Sequence, residues 1–561
     1  MRHRSIGRTL GRAIVALSLA GAAAATVVAQ QPAGNAGGPV TFQEILEGLK
    51  EDGSKWLTFG GNLANHRFSP LAQITPDNVQ RLQPKWMFQT ATVGNFETTT
   101  LLRDNVLYVT GPLNVAWAID ARSGRQIWRY KRELPLTGLT ACCGLVNRGF
   151  GILGDKLFMT TLDAHLLALD AKTGTVVWDA TLEDYKSGYA ATIAPIIARD
   201  KVIVGVAGGE YGIRGFLEAY DANTGKRAWR LYTVPGPGEP GNNSWSGDSW
   251  KRGGAGIWTT GAYDPELNLL YYGTGNPGPD YHSGSREGDN LYSDSILAVD
   301  ADSGKLRWHY QFTPHDVHDY DATQVPVLAD LTINGQPRKT VMFANRNGFF
   351  YTLDRTNGRL LVAKTYVNTT WAKEIDAQGR PLLLPGQTPD EKGEFTCPDA
   401  LGATNFWQPS FDPRSQLFFV TTREACATFY GFETPFVSGQ RFTGGAQQLA
   451  NRADNRPYGA IRAIDPKSVE VKWEFRMPTP SRAGILTTAS NLLFSGDNEG
   501  NIFALDSRNG KQLWRYQLGA NLHGTSPIAY MVDGREYILV PSGTTLTAWA
   551  LGDTTGAGGP R

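Results

Sequence analysis

AIDARSGRQIW, running from Ala118 to Trp128, is met again as ALDAKTGTVVW (Ala168 to Trp178), AYDANTGKRAW (Ala219 to Trp229), AVDADSGKLRW (Ala298 to Trp308) and ALDSRNGKQLW (Ala504 to Trp514). Weaker copies are TLDRTNGRLLV (Thr352 to Val362) and AIDPKSVEVKW (Ala463 to Trp473). Each copy has one physical reading. An apolar strand ends at the Asp. The residues up to the Gly make a tight turn, with the Gly supplying a positive φ. A second strand then carries the Trp into the space between neighbouring sheets.

The tryptophans of the clean copies lie 50, 51 and 79 residues apart from Trp128 to Trp308, and 41 apart from Trp473 to Trp514. A period of about 40–50 residues means propeller blades of four strands, with insertions in the longer gaps. Lys85-Trp86-Met87-Phe88 is an extra, degenerate copy near the N-terminus. Seven copies plus this one predict an all-β, eight-bladed β-propeller of four-stranded antiparallel blades. Composition agrees. The 561 residues hold 64 Gly, 31 Pro, 15 Trp, 21 Tyr and 24 Phe, a mixture that favours many short strands. A net charge of +1 leaves no basic excess to draw the chain to nucleic acid or an anionic membrane surface.

Residues 1–29 stand apart from this pattern. Arg2, Arg4, Arg8 and Arg12 precede an apolar stretch from Ala13 to Val28, and small residues end it near Ala29. The segment reads as a cleaved signal peptide; an uncleaved anchor is the other reading. Cleavage removes four arginines and no acids, so the net charge falls from +1 to −3. No other stretch is long and apolar enough to span a bilayer as a helix. Export implies an oxidising compartment in which disulfides are permitted. Residues 30–55 read as a lead with one short helix, opened by the capping box Thr41-Phe42-Gln43-Glu44. Residues 56–552 form the propeller and 553–561 a flexible tail.

A propeller alone names no chemistry, and a binding scaffold suits it as well as an enzyme. Two G-x-G-x-x-G matches, Gly149 to Gly154 and Gly236 to Gly241, lack the strand-then-helix frame of a dinucleotide site and read as loops. No C-x-x-C-H, H-E-x-x-H or Walker sequence occurs.

Three clusters do carry chemistry. Cys142 and Cys143 are adjacent, so they are either reduced core thiols or a strained vicinal bridge whose rigid ring would suit the face of a planar ligand. Between Thr313 and Asp321 lie Asp316, Asp319 and Asp321 with His315 and His318. On a strand, Asp319 and Asp321 would share one face, where paired carboxylates need a cation or a shared proton; a solvated loop is the alternative. Gly208-Gly209-Glu210-Tyr211-Gly212 and Thr274-Gly275-Asn276-Pro277 set Glu and Asn oxygens among glycines after strands, and such oxygens suit a hard cation.

Together these motifs resemble the quinoprotein alcohol dehydrogenases, eight-bladed propellers that bind pyrroloquinoline quinone (PQQ). The resemblance runs from Trp56 to about Leu551, and the Trp-ended repeats match the family's tryptophan-docking motif. It implies that Cys142 and Cys143 form a ring on one face of the quinone, with Trp258 on the other. It also implies that Glu97, Arg148, Thr192, Gly208, Gly209 and Asn405 contact the cofactor, and that Arg346 binds its reactive carbonyls. Glu210, Asn276 and Asp319 would hold the metal, and Asp319 would be the general base. Asp321 matches the extra Asp of the lanthanide-using members, so the ion is a lanthanide(III) or Ca2+. Cys397 and Cys426 look like a second disulfide.

The activity so implied is periplasmic oxidation of a small-molecule alcohol to an aldehyde. The missing haem motif assigns electron acceptance to a separate cytochrome c. Two other readings remain: a quinoprotein acting on sugars or polyols, and a cofactor-free propeller scaffold in envelope assembly.

Overall fold

The repeat turns are built alike in the strong copies. In the first, Asp120 Oδ1 accepts from the backbone N–H of Arg122 at 3.1 Å and of Ser123 at 2.8 Å, and from Ser123 Oγ at 2.7 Å. Gly124 then sits at φ +72°, a conformation that suits glycine. The flanking strands Val115–Asp120 and Gln126–Lys131 pair antiparallel with Ala118 opposite Trp128. The same Ala–Trp register recurs as Ala168–Trp178, Ala219–Trp229, Ala298–Trp308, Ala463–Trp473 and Ala504–Trp514. One weak copy puts Val469 where the others have Gly, at φ +62°.

The computed structural model describes residues 38–135, 137–450 and 456–552; the expected signal peptide and the tail at 553–561 lie outside them. The chain is all-β. Its described residues hold eight sheets of four or five strands, with a two-stranded and a three-stranded sheet besides. Six of the eight are made of strands close in sequence, and a seventh adds Phe68–Ser69 parallel to Leu486–Thr488. The eighth joins Ile528–Val532, Arg535–Ser542 and Thr545–Leu551 to Leu82–Gln89 from the other end of the chain. The degenerate copy at Trp86 is therefore the outer strand of the C-terminal sheet, with Trp86 opposite Ala548.

Each tryptophan reaches the next sheet along the chain. Trp86, Trp128, Trp178 and Trp229 donate Nε1–H to the carbonyls of Ala121, Ala171, Ala222 and Ala301 at 3.0–3.3 Å. The indoles lie against the turn glycines there. A Cβ added to Gly124, Gly174, Gly225 or Gly304 would come within 2.5–2.8 Å of the ring, closer than atoms pack. Trp514 departs from this pattern and meets Trp549 edge-on, with centroids 5.2 Å apart.

The helix Phe42–Glu47 carries its capping box, with Glu44 N–H donating to Thr41 Oγ1 and Thr41 N–H donating to Glu44 Oε2. One expectation changes. Gly151–Leu153, inside the first glycine motif, is a strand and not a loop. It lies so close to Pro195 that a Cβ on Gly151 would meet the Pro195 carbonyl at 2.9 Å. No helix among the described residues is long and apolar enough to cross a membrane.

Candidate active site

Each of the eight larger sheets sends a residue to one cavity from the short segment before one of its strands. Glu97, Arg148, Thr192 and Trp258 precede Leu101–Arg103, Gly151–Leu153, Ile196–Ala198 and Ala262–Asp264. Asp319 with Asp321, Asn405, Arg482 and His523 precede Val327–Ile333, Ser410–Asp412, Leu486–Thr488 and Ile528–Val532. Loops between strands add Gly208, Gly209 and Glu210 after Lys201–Gly205, Asn276 after Leu269–Gly273, and Arg346 after Gln336–Ala344. Cys142, Cys143, Leu401 and Phe406 also line this cavity. All fourteen residues singled out from the sequence face this one space.

Cys142 and Cys143 are bridged, as are Cys397 and Cys426. A carboxylate oxygen of Glu210 lies within 4.8 Å of both sulfurs of the vicinal bridge. Oxidised sulfur lacks the thiolate that binds metals, so that trio is no metal site by itself.

The Asp319 and Asp321 pair is not set up as the strand reading expected. The run at 313–324 is irregular, and Asp319 sits at φ +59°. Arg346 joins the two acids instead, donating from Nη1 to Asp321 Oδ2 at 2.6 Å and from Nη2 to Asp319 Oδ2 at 3.0 Å. Its Nε donates to the Ala400 carbonyl at 2.5 Å. Asn276 N–H donates to Asp321 Oδ1 at 2.6 Å, and a Cβ on Gly275 would stand 2.6 Å from that same oxygen. Tyr281 donates its hydroxyl to Asp319 Oδ2 at 3.4 Å.

This pole of the cavity is strongly acidic. Burial pushes Asp319 well above the usual carboxylate range, against the pull of Arg346 and with the push of Asp321, Asp280 and Glu210. Burial likewise raises Glu210, helped by Asp321, and raises Asp321 despite Arg346 and the Asn276 N–H.

The opposite pole is basic. Arg148 pairs with Glu97 at 2.8 Å and donates from Nη1 to Thr192 Oγ1 at 2.5 Å. Its guanidinium carbon lies 4.9 Å from the Trp258 ring centre and 4.7 Å from that of Phe406, a cation–π arrangement. Arg148 Nε is buried without a hydrogen-bond partner. Arg482 Nη1 stands 3.4 Å from His523 Nε2, and burial with the two nearby guanidiniums pushes His523 down to about 4.

The sequence reading missed Arg482, His523 and Phe406. A signal was available. Each of the eight sheets places a residue in the cavity from just before a strand, and Arg482 and His523 hold that place in the last two.

A family model described as PQQ: glucose/ethanol/alcohol dehydrogenase, beta-propeller domain, matches residues 56–370 and 446–538. A quinohemoprotein alcohol dehydrogenase of Pseudomonas putida is 40% identical over 520 residues, covering 89% of this chain and 75% of that protein. A lanthanide-dependent methanol dehydrogenase of Methylacidiphilum fumariolicum is 36% identical over 531 residues, with 89% and 86% covered. A europium-containing methanol dehydrogenase structure superposes with a TM-score of 0.86 at 32% identity, covering 91% of this chain and 100% of that one. With a Cys-Cys bridge, an acidic pole and a basic pole around one propeller cavity, the chain belongs to the PQQ-dependent alcohol dehydrogenase family of quinoproteins.

Proposed function

We propose that the protein oxidises alcohols to aldehydes in the periplasm with PQQ and one lanthanide(III) or Ca2+ ion, and passes the electrons to a separate cytochrome c. The scaffold is an eight-bladed propeller held by tryptophan docking, with the mature chain beginning after Ala29 and the propeller spanning 56–552.

The observation that carries this reading is the split charge of the cavity. At the acidic pole three carboxylates, Glu210, Asp319 and Asp321, gather around the guanidinium of Arg346, which pairs with the two aspartates. With the Asn276 amide the three carboxylates make an all-oxygen donor set of the kind that hard cations take, so the residues fit the metal. The basic pole offers Arg148 and Arg482, with Arg148 Nε unpartnered. The planar, tricarboxylate PQQ fits cationic donors at one end and the Cys142–Cys143 bridge and Trp258 as walls.

When bound, PQQ supplies a quinone that accepts hydride, and the metal a Lewis acid that polarises its carbonyl. The chain's own residues do the rest. Glu210, Asn276, Asp319 and Asp321 would hold the cation. Asp319 takes the hydroxyl proton of the alcohol; Arg346 and Tyr281 both donate to its Oδ2, which leaves Oδ1 for that proton. Arg346 is placed by the Ala400 carbonyl and by two acids, so its N–H groups stand ready where negative charge develops. Walls of Trp258, Phe406 and Leu401 help to keep water out.

The test is reconstitution. Purified protein is loaded with PQQ and either La3+ or Ca2+, its absorbance spectrum recorded, and a panel of alcohols, polyols and sugars assayed with an artificial dye acceptor. Turnover of simple alcohols that needs both PQQ and metal is expected. Turnover confined to sugars would replace the alcohol reading.

A further inference from the structure

We infer that Asp280 is a positioning residue for the cation, turning Asn276 toward it and adding a fourth carboxylate, itself buried, that favours a trivalent ion over a divalent one. The inference rests on the metal site proposed above. Asn276 has two amide hydrogens and spends both behind the cavity. One goes to Asp280 Oδ1 at 2.9 Å and the other to the Pro277 carbonyl at 3.2 Å. Its Oδ1 therefore faces the other way, toward Gly209, where an added Cβ would touch it at 3.4 Å. Gly209 and Asn276 both line the cavity. Flipping the amide would set its oxygen against the Asp280 carboxylate, so Asp280 locks the one orientation in which Asn276 can bind a cation. An outer partner that fixes a ligand in this way typically changes metal affinity about 10–100-fold.

With a cation bound beside it, Asp280 also brings a charge. It is 1% exposed and lies within electrostatic reach of Glu210, Asp319 and Asp321. The nearby Arg286 does not pair with its carboxylate. That guanidinium gives its hydrogens to the carbonyls of Pro279, Asp280 and Asp316 and to Asn290 Oδ1. A buried carboxylate among three others is costly unless a cation offsets them together. Coulomb attraction scales with ion charge. A charge lost at Asp280 should thus cost a trivalent ion one and a half times the logarithmic affinity that it costs a divalent one.

The experiment titrates PQQ-loaded protein with LaCl3 and with CaCl2 by calorimetry, comparing wild type, Asp280→Asn and Asp280→Ala, with circular dichroism as a check of fold. Asp280→Asn keeps an acceptor for Asn276 and removes only charge. About 30-fold weaker La3+ binding and about 10-fold weaker Ca2+ binding are expected of it. Asp280→Ala also frees the amide and should weaken both ions further. Equal losses for the two ions in Asp280→Asn would overturn the selectivity, and affinities within threefold of wild type in both variants would overturn the role itself. If Asp280→Ala does not fold, the near-isosteric Asn variant decides alone. Wild type that binds neither ion would sink the metal site and this inference with it, and is told apart because the unmutated protein fails.

Discussion

Asp319 and Arg346 form an ion pair within the cavity, Oδ2 to Nη2 at 3.0 Å, and the same guanidinium reaches Asp321 through Nη1. Two acids that would repel each other within the cavity are thereby tied to one fixed cation. The arrangement leaves Asp319 with both hydrogen bonds on one oxygen, and this asymmetry suits a base that must take a proton on the other. Asp319→Asn should lower PQQ-dependent alcohol oxidation at least about 100-fold, the lower end for a general base. The thermal transition should stay cooperative. A variant that keeps most of its turnover would move the base elsewhere, with Asp316 next to be tried.

Asp321 adds a carboxylate whose benefit grows with ion charge. In Asp321→Ala, activity with La3+ should fall at least about tenfold, or about 1.4 kcal/mol of lost stabilisation, and activity with Ca2+ by less. The comparison is made on apo-protein reloaded with each ion and excess PQQ. Full activity with calcium alone, indifferent to this substitution, would exclude the lanthanide.

The Cys142–Cys143 bridge walls the cavity beside Glu210. Replacing both cysteines by Ala should weaken PQQ binding about tenfold, near 1.4 kcal/mol, or slow electron release from the reduced enzyme. Quenching of tryptophan fluorescence follows the first and single-turnover absorbance the second. Unchanged values for both would leave the bridge without a part in the chemistry.

Glu536 lies outside the active site and tests the fold. It is buried on the strand Arg535–Ser542 and accepts from the N–H groups of Gln73 and Ile74 through Oε2, while Oε1 has no partner. Burial pushes its pKa up to about 7 from an ordinary 4.5. The folded state then holds a proton that the unfolded chain has released. Stability should therefore fall as pH rises from about 4.5 to about 7, and level off above that. Glu536→Gln mimics the protonated form and should gain on wild type by up to about 3 kcal/mol at pH 8, with little difference near pH 4.5. Parallel pH profiles of thermal unfolding for the two proteins would rule this out.

The blade repeat was legible because its causes are local. An Asp that caps its own turn, a Gly at positive φ and a Trp on the returning strand act within eleven residues, and the Asp120 turn and the Ala118–Trp128 register show each part. The clusters at Cys142, Glu210, Asn276 and Asp319 were legible for a similar reason, since each is a short run of unusual residues. That they belong to one cavity was not, because they come from separate sheets and meet only when the chain returns on itself.

Three features rest on contacts distant in sequence. Leu82–Gln89 pairs with Thr545–Leu551, more than 450 residues away, and no local pattern could say which sheet the Trp86 strand completes. Asp319 and Asp321 do not share a strand face; Arg346, 25 residues beyond Asp321, gathers them because a buried guanidinium must find carboxylates and buried carboxylates must find a cation. Arg482, His523 and Asp280 belong to no motif, and their parts are set by what packs against them. Local turn chemistry and residue type thus wrote the blades and the donor list into the amino-acid order. Which donors face one another is decided by long-range packing, since charge and hydrogen-bond balance inside the cavity hold only for the assembled whole.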